Sequence, residues 1–150
     1  MDPLPTIVGY VQAEWQGFGL PGWGMTTRPA TGRVLVNVPT KFASDAPTTV
    51  TLAPVNVLGR DVTVTLRAVT HVWHFGDGET GAARPGDPKI EYPHRQPGEF
   101  EVVMTTRYTA TFTVQGSVEV YDGNGTADVA GPGTGLEVVE AHSELIAGDR

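Results

Sequence analysis

The sequence predicts an all-β fold preceded by one short N-terminal helix. Three observations carry that expectation. Val62, Val64, Leu66 and Ala68 alternate with Thr63, Thr65 and Arg67, the pattern of a strand with one buried and one wet face. Gly 19 and Pro 12 in 150 residues supply the turns that many short strands need. An aromatic strand, His71-Val72-Trp73-His74-Phe75, runs straight into Gly76-Asp77-Gly78, where glycine tolerates backbone angles that other residues resist.

The elements follow in order. Ile7, Val11, Trp15 and Phe18 recur at helical spacing, so residues 6–18 form a helix that Gly17, Gly19 and Pro21 end. It packs over one end or edge of the sheet, or else serves as a docking segment; packing is the expectation. Residues 19–32 read as a loop, with Trp23 sealing the core. Val34, Val36 and Val38 alternate as one strand that Pro39 ends, and residues 41–47 connect it onward. Runs 48–57 and 61–69 are strands joined by a turn at Leu58-Gly59-Arg60-Asp61, with Pro54 marking an edge or a break. The aromatic strand covers 70–75, and 79–89 is a long turn-rich loop. Ile90 and Tyr92 belong to a short strand, and Pro97-Gly98 turns the chain.

Phe100, Val102 and Met104, then Tyr108, Ala110, Phe112 and Val114, face inward. The run 99–115 is long for one strand; it is one bent strand or two, with the change at residues 105–107. Val118 and Val120, then residues 126–130, flank Asp122-Gly123-Asn124-Gly125 as a hairpin with an Asn-Gly turn. A loop at 130–135 leads to a last strand or short helix over 136–146. The expected organisation is one domain: residues 1–32 as helix and linker, 33–130 as the main β-unit, and 131–150 as a C-terminal extension.

Trp73, Phe75, Gly76, Asp77 and Gly78, followed by Pro97, Gly98 and Phe100, resemble the paired signature of the PKD domain (polycystic kidney disease repeat). That signature is an aromatic-x-Phe-Gly-Asp-Gly strand end followed by a Pro-Gly turn and an alternating strand. The resemblance covers roughly residues 33–130. It departs at Tyr92-Pro93-His94, where the aromatic and the histidine are exchanged, at Phe100, which replaces a tyrosine, and at 107–120, which looks like an insertion. The layout is also similar to PKD-containing proteins exported by actinobacteria. The resemblance implies an immunoglobulin-like β-sandwich on the cell surface or outside the cell, with Trp73 and Phe75 filling the space between sheets.

Charge and composition narrow the function. The net charge is −7, and ten basic residues spread along the chain form no basic face of the kind that nucleic-acid or anionic-membrane binding needs. No cysteine is present, which excludes disulfides and thiolate chemistry. No apolar run is long enough to insert in a membrane. Residues 1–5 lack the basic segment and apolar core of a signal peptide, so an exported chain would be a mature form.

No catalytic constellation is evident, and the expectation is a chain that is not an enzyme. His71 and His74 lie on opposite strand faces, His94 sits in a turn and His142 in the tail; three converging groups would be needed for a site. Calcium is the one ion to weigh. Asp122, Asn124 and Asp128 place oxygens at intervals as calcium loops do, but Ala127 stands where glycine belongs. Asp77 and Asp87 are calcium candidates by the resemblance alone. A hairpin turn without cofactor is the preferred reading.

The leading expectation is a non-catalytic module for protein–protein contact or spacing, without a cofactor and able to join a larger surface assembly. The alternative is a carbohydrate-binding accessory module of a secreted polysaccharide-degrading system. Sugar binding of that kind uses exposed aromatic platforms, and Tyr10, Trp15, Trp23 and Tyr121 are the candidates.

Overall fold

The computed structural model describes residues 2–140. It is mostly β, 53% strand and 10% helix, with the helix at the N-terminus. Helix α1 (Leu4–Glu14) continues into a 3-10 turn (Trp15–Gly17). The strands are β1 (Met25–Arg28), β2 (Arg33–Leu35), β3 (Thr40–Ser44), β4 (Thr49–Thr51), β5 (Val55–Val57), β6 (Arg60–His74), β7 (Thr80–Ala83), β8 (Lys89–Tyr92), β9 (Gly98–Val114), β10 (Val120–Asp122), β11 (Ala127–Ala130) and β12 (Thr134–Val139). The expected last element beyond residue 140, and His142, lie outside the described residues.

The chain divides into two compact units, each drawn from three stretches. The first holds residues 2–21, 47–69 and 107–129; the second holds 22–46, 70–106 and 130–140. β6 and β9 contribute to both and are hydrogen-bonded neighbours.

In the first unit, Pro5 occupies the start of α1, where its missing N–H costs nothing. Asp2 Oδ1 accepts the Leu4 N–H at 3.0 Å. Gly19, at φ 76°, takes the left-handed conformation just beyond the 3-10 turn. Ile7, Val11 and Trp15 are fully buried, so the expected helix face packs inward. Each such side chain contributes about 1.5–3 kcal/mol by leaving water. Three side chains of this segment donate to backbone carbonyls of one loop. Gln12 reaches Asp122 at 3.1 Å, Trp15 Nε1 reaches Asn124 at 2.9 Å and Gln16 reaches Thr126 at 2.8 Å.

That docking explains a correction. β10 and β11 do not form the expected hairpin; both pair with β9. The Gly123 N–H still donates to the Ala110 carbonyl of β9 at 2.8 Å, and residues 124–126 then give carbonyls to Trp15 and Gln16. Gly123 fits closely there: a Cβ would stand 3.0 Å from Trp15 Nε1 and 3.1 Å from the Ala110 carbonyl oxygen, so those neighbours would have to give by a few tenths of an ångström.

In the second unit, β1, β3 and β8 form a three-stranded antiparallel sheet. β12 lies between β9, to which it runs antiparallel, and β2, to which it runs parallel. β7 pairs with the last four residues of β6. Phe42, Trp73, Phe75, Val102, Met104 and Leu136 form the core, with Trp23, Met25, Ile90 and Tyr92 packed against it.

Several local expectations change. The loop at 19–32 contains β1, the connection at 41–47 contains most of β3, and the loop at 79–89 contains β7. These segments are short, and cross-strand partners make strands of them. β2 stops at Leu35 rather than reaching Val38. Asn37 takes a left-handed φ of 63° and donates its N–H to the His94 carbonyl. Residues 48–57 split into β4 and β5 around Pro54, and Leu58 and Gly59, both at positive φ, turn the chain into β6.

The run 99–115 is a single strand, with every even residue from Val102 to Val114 buried. β6 differs. Val62, Val64, Leu66 and Ala68 are buried, then His71 and Trp73. The alternation slips by one at Val69 and Thr70, as one extra residue in a strand produces, so the two expected strands are one strand.

Candidate functional site

The motif residues meet in the second unit at the turn after β6. Gly76 and Gly78 lie at φ 86° and 93°. The Phe75 N–H donates to the Glu79 carbonyl at 3.1 Å, and Asp77 Oδ1 accepts the Glu79 N–H at 3.0 Å. The second Asp77 oxygen accepts the Tyr92 hydroxyl. Gly76 is demanded twice over: its φ disfavours a side chain, and a Cβ would lie 2.7 Å from the Glu101 carbonyl oxygen.

β8 and the residues after it supply the other wall. The Tyr92 ring stacks on Phe75 with centroids 3.9 Å apart and planes 2° from parallel. His94 is buried, and its Nε2 lies 2.8 Å from the Phe75 carbonyl oxygen. A carbonyl only accepts, so Nε2 carries the proton. The Phe100 ring lies against that imidazole, with centroids 4.8 Å apart. The Tyr92 and His94 rings thus both pack around Phe75, one on its face and one on its edge.

Over these groups lies a groove of about 630 Å³ lined by Asp77, Glu79, Tyr92, Arg95, Gln96 and Phe100. Arg95, Gln96 and Glu79 are exposed. The Asp77 carboxyl is held below its ordinary value. Burial works in the opposite sense, and the hydrogen bonds from Tyr92 and the Glu79 N–H outweigh it. The Tyr92 hydroxyl is pushed up to about 12, first by burial and then by donation to the Asp77 carboxylate. Near neutrality Asp77 stays ionised and Tyr92 stays protonated, so the pair is a fixed hydrogen bond.

The sequence singled out Asp77 and the glycines but gave Tyr92, Arg95, Gln96 and Glu79 no role. The exchanged motif was the available signal for Tyr92. Nothing local marks Arg95 or Gln96, which a Pro-Gly turn brings to the groove.

The other candidates are scattered. Trp15 is a correction: it is fully buried and spends its N–H on Asn124, so it offers no platform. Trp23 is partly buried against the core of the second unit. Tyr121 stacks on Phe112 at 5.4 Å, and its hydroxyl lies 3.2 Å from Ser117 Oγ. Tyr10 is half exposed. Pro97 and Gly98 form the turn into β9, with Gly98 at φ 140°.

Among the calcium candidates, Asp128 makes a two-point ion pair with Arg107, at 2.8 and 3.1 Å. Asn124, at φ 64°, turns its carbonyl to Trp15. Asp122 is exposed and gives its carbonyl to Gln12. Asp87 is exposed in a turn closed on Arg84. Among the described residues no three His, Asp or Glu groups come together as metal ligands. Nor is any helix long and apolar enough to cross a membrane. No protein-family model matches the chain, and no curated protein does.

Proposed function

We propose that this chain is a non-catalytic, immunoglobulin-like module of the PKD type that makes protein–protein contacts outside the cell, as a spacer or as a subunit of a surface assembly. One observation carries the reading: every residue of the shared motif is spent on architecture. Trp73 and Phe75 fill the core, Gly76 permits close approach to β9, and Asp77 closes its turn and ties down Tyr92. A general acid or base works best with a pKa near the operating pH, and Asp77 and Tyr92 are both held away from it. The exposed rim of Glu79, Arg95 and Gln96 then serves as the contact surface, as loops on a rigid scaffold commonly do.

Light scattering on the purified chain, with calcium and then with EDTA, separates spacer from subunit. A photo-crosslinking residue at Gln96, introduced in the producing cells, tests the contact surface. A discrete adduct with one surface protein supports the reading. Absence of any adduct from Gln96 and from a second site at Glu79 sinks it.

A further inference from the structure

The first unit carries a second groove, of about 580 Å³, on the outward face of its sheet. β4 and β6 supply Thr49, Thr65 and Arg67; β9 and β10 supply Thr109, Thr111 and Asp122. Register builds the floor. Thr49 lies opposite Arg67 across β4 and β6, and Asp122 lies opposite Thr111 across β10 and β9. With β6 and β9 adjacent, the groove crosses four strands. Arg67 and Asp122 are two strand spacings apart, about 10 Å, near the length of a disaccharide.

The polar groups of this floor are idle. Some threonine hydroxyls elsewhere are engaged: Thr26 donates to Asp45, Thr70 donates to the Ala83 carbonyl and Thr106 bonds His71. Within the first unit, Arg60 pairs with Asp2 and Arg107 pairs with Asp128. Arg67 has no partner among the described residues, and neither do the hydroxyls of Thr49, Thr65, Thr109 and Thr111.

We infer that this groove binds an acidic oligosaccharide, one bearing a uronate carboxylate. Each threonine hydroxyl donates one hydrogen bond and accepts two, which complements the hydroxyls of a sugar ring. The Arg67 fork takes the carboxylate through two parallel N–H bonds. Asp122 accepts sugar hydroxyls at the far end and repels a more highly charged anion such as phosphate. The floor is hydrogen-bonded sheet, so little order has to be imposed on binding. This site needs no aromatic platform and is independent of the reading given to the Asp77 groove.

The test is an amide NMR titration of the full chain with trigalacturonate, with the neutral galactose trisaccharide and with inorganic phosphate. The expected result is shifts at Thr49, Thr65, Arg67, Thr109, Thr111 and Asp122 with the uronate. Arg67→Met should weaken that binding at least about tenfold while leaving the melting temperature unchanged. Thr65→Val should weaken it less, and Arg95→Met should have no effect. The proposal is overturned if millimolar trigalacturonate leaves these amides unmoved. Equal binding of the neutral sugar or of phosphate also overturns it, as does unaltered binding by Arg67→Met.

Discussion

Gly76 shows how a single position can be fixed by two independent demands. A side chain there meets both a disfavoured φ and the backbone of β9. Gly76→Ala should therefore cost about 2 kcal/mol or more, read as a lower urea midpoint at unchanged slope. A second residue-scale prediction concerns His71, whose pKa burial lowers from the ordinary 6.5. The unfolded chain takes up the proton that the folded chain resists. Stability is thus full above about pH 6.5 and falls as pH drops below it. Urea titrations between about pH 5 and 7 should show that slope, reduced in His71→Gln. Tyr92 has the opposite sense. Its folded value, about 12, exceeds the ordinary 10, so the stability it adds is present below pH 10 and lost as pH rises toward 12. Tyr92→Phe should remove that alkaline component.

At the scale of elements, α1 is held by apolar burial and by the three carbonyl contacts of Gln12, Trp15 and Gln16. Trp15→Phe keeps most of the burial but leaves the Asn124 carbonyl without its donor. A loss of about 1 kcal/mol is expected, with faster amide exchange in both α1 and residues 122–126. Faster exchange in the helix alone would refute the coupling. This element was legible in sequence, since apolar residues at helical spacing chose the buried face before any partner was known. β1, β3 and β7 were not legible. Met25-Thr26-Thr27-Arg28 and Thr80-Gly81-Ala82-Ala83 have too little alternation to read as strands, and each becomes one through pairing with residues distant in sequence. The loop 122–126 misled for a related reason. Its Asn-Gly pair does take positive φ at both residues, Asn124 and Gly125, but the strands on either side both pair with β9. Turn chemistry set the local conformation, while the helix decided what the turn connects. At the candidate groove, Asp77 and the glycines were visible as a contiguous motif. Arg95 and Gln96 were not, because their role comes only from where the chain folds back.

Across the whole molecule, neither unit is a continuous segment, and the stretch that resembles a PKD domain excludes β1 and β12. β12 buries Leu136 and Val138 and stands between β2 and β9. A chain ending at Ala130 should lose about 3–6 kcal/mol from those two side chains alone, and β9 would lose a paired edge. Equal stability of the truncated and full chains in urea would refute this. The slip at Val69 and Thr70 acts at the same scale. Side chains in a strand obey a parity, and β6 changes parity once, in the middle. Deleting either residue would restore even alternation along the strand, with His71 and Trp73 on the same parity as Leu66 and Ala68. β9, its hydrogen-bonded neighbour, keeps one parity throughout, so β6 carries one residue more than the count of buried positions requires, an insertion that a β-bulge absorbs. A frame-preserving deletion of a single codon there would read out, as a change in urea midpoint, what that extra residue costs or contributes.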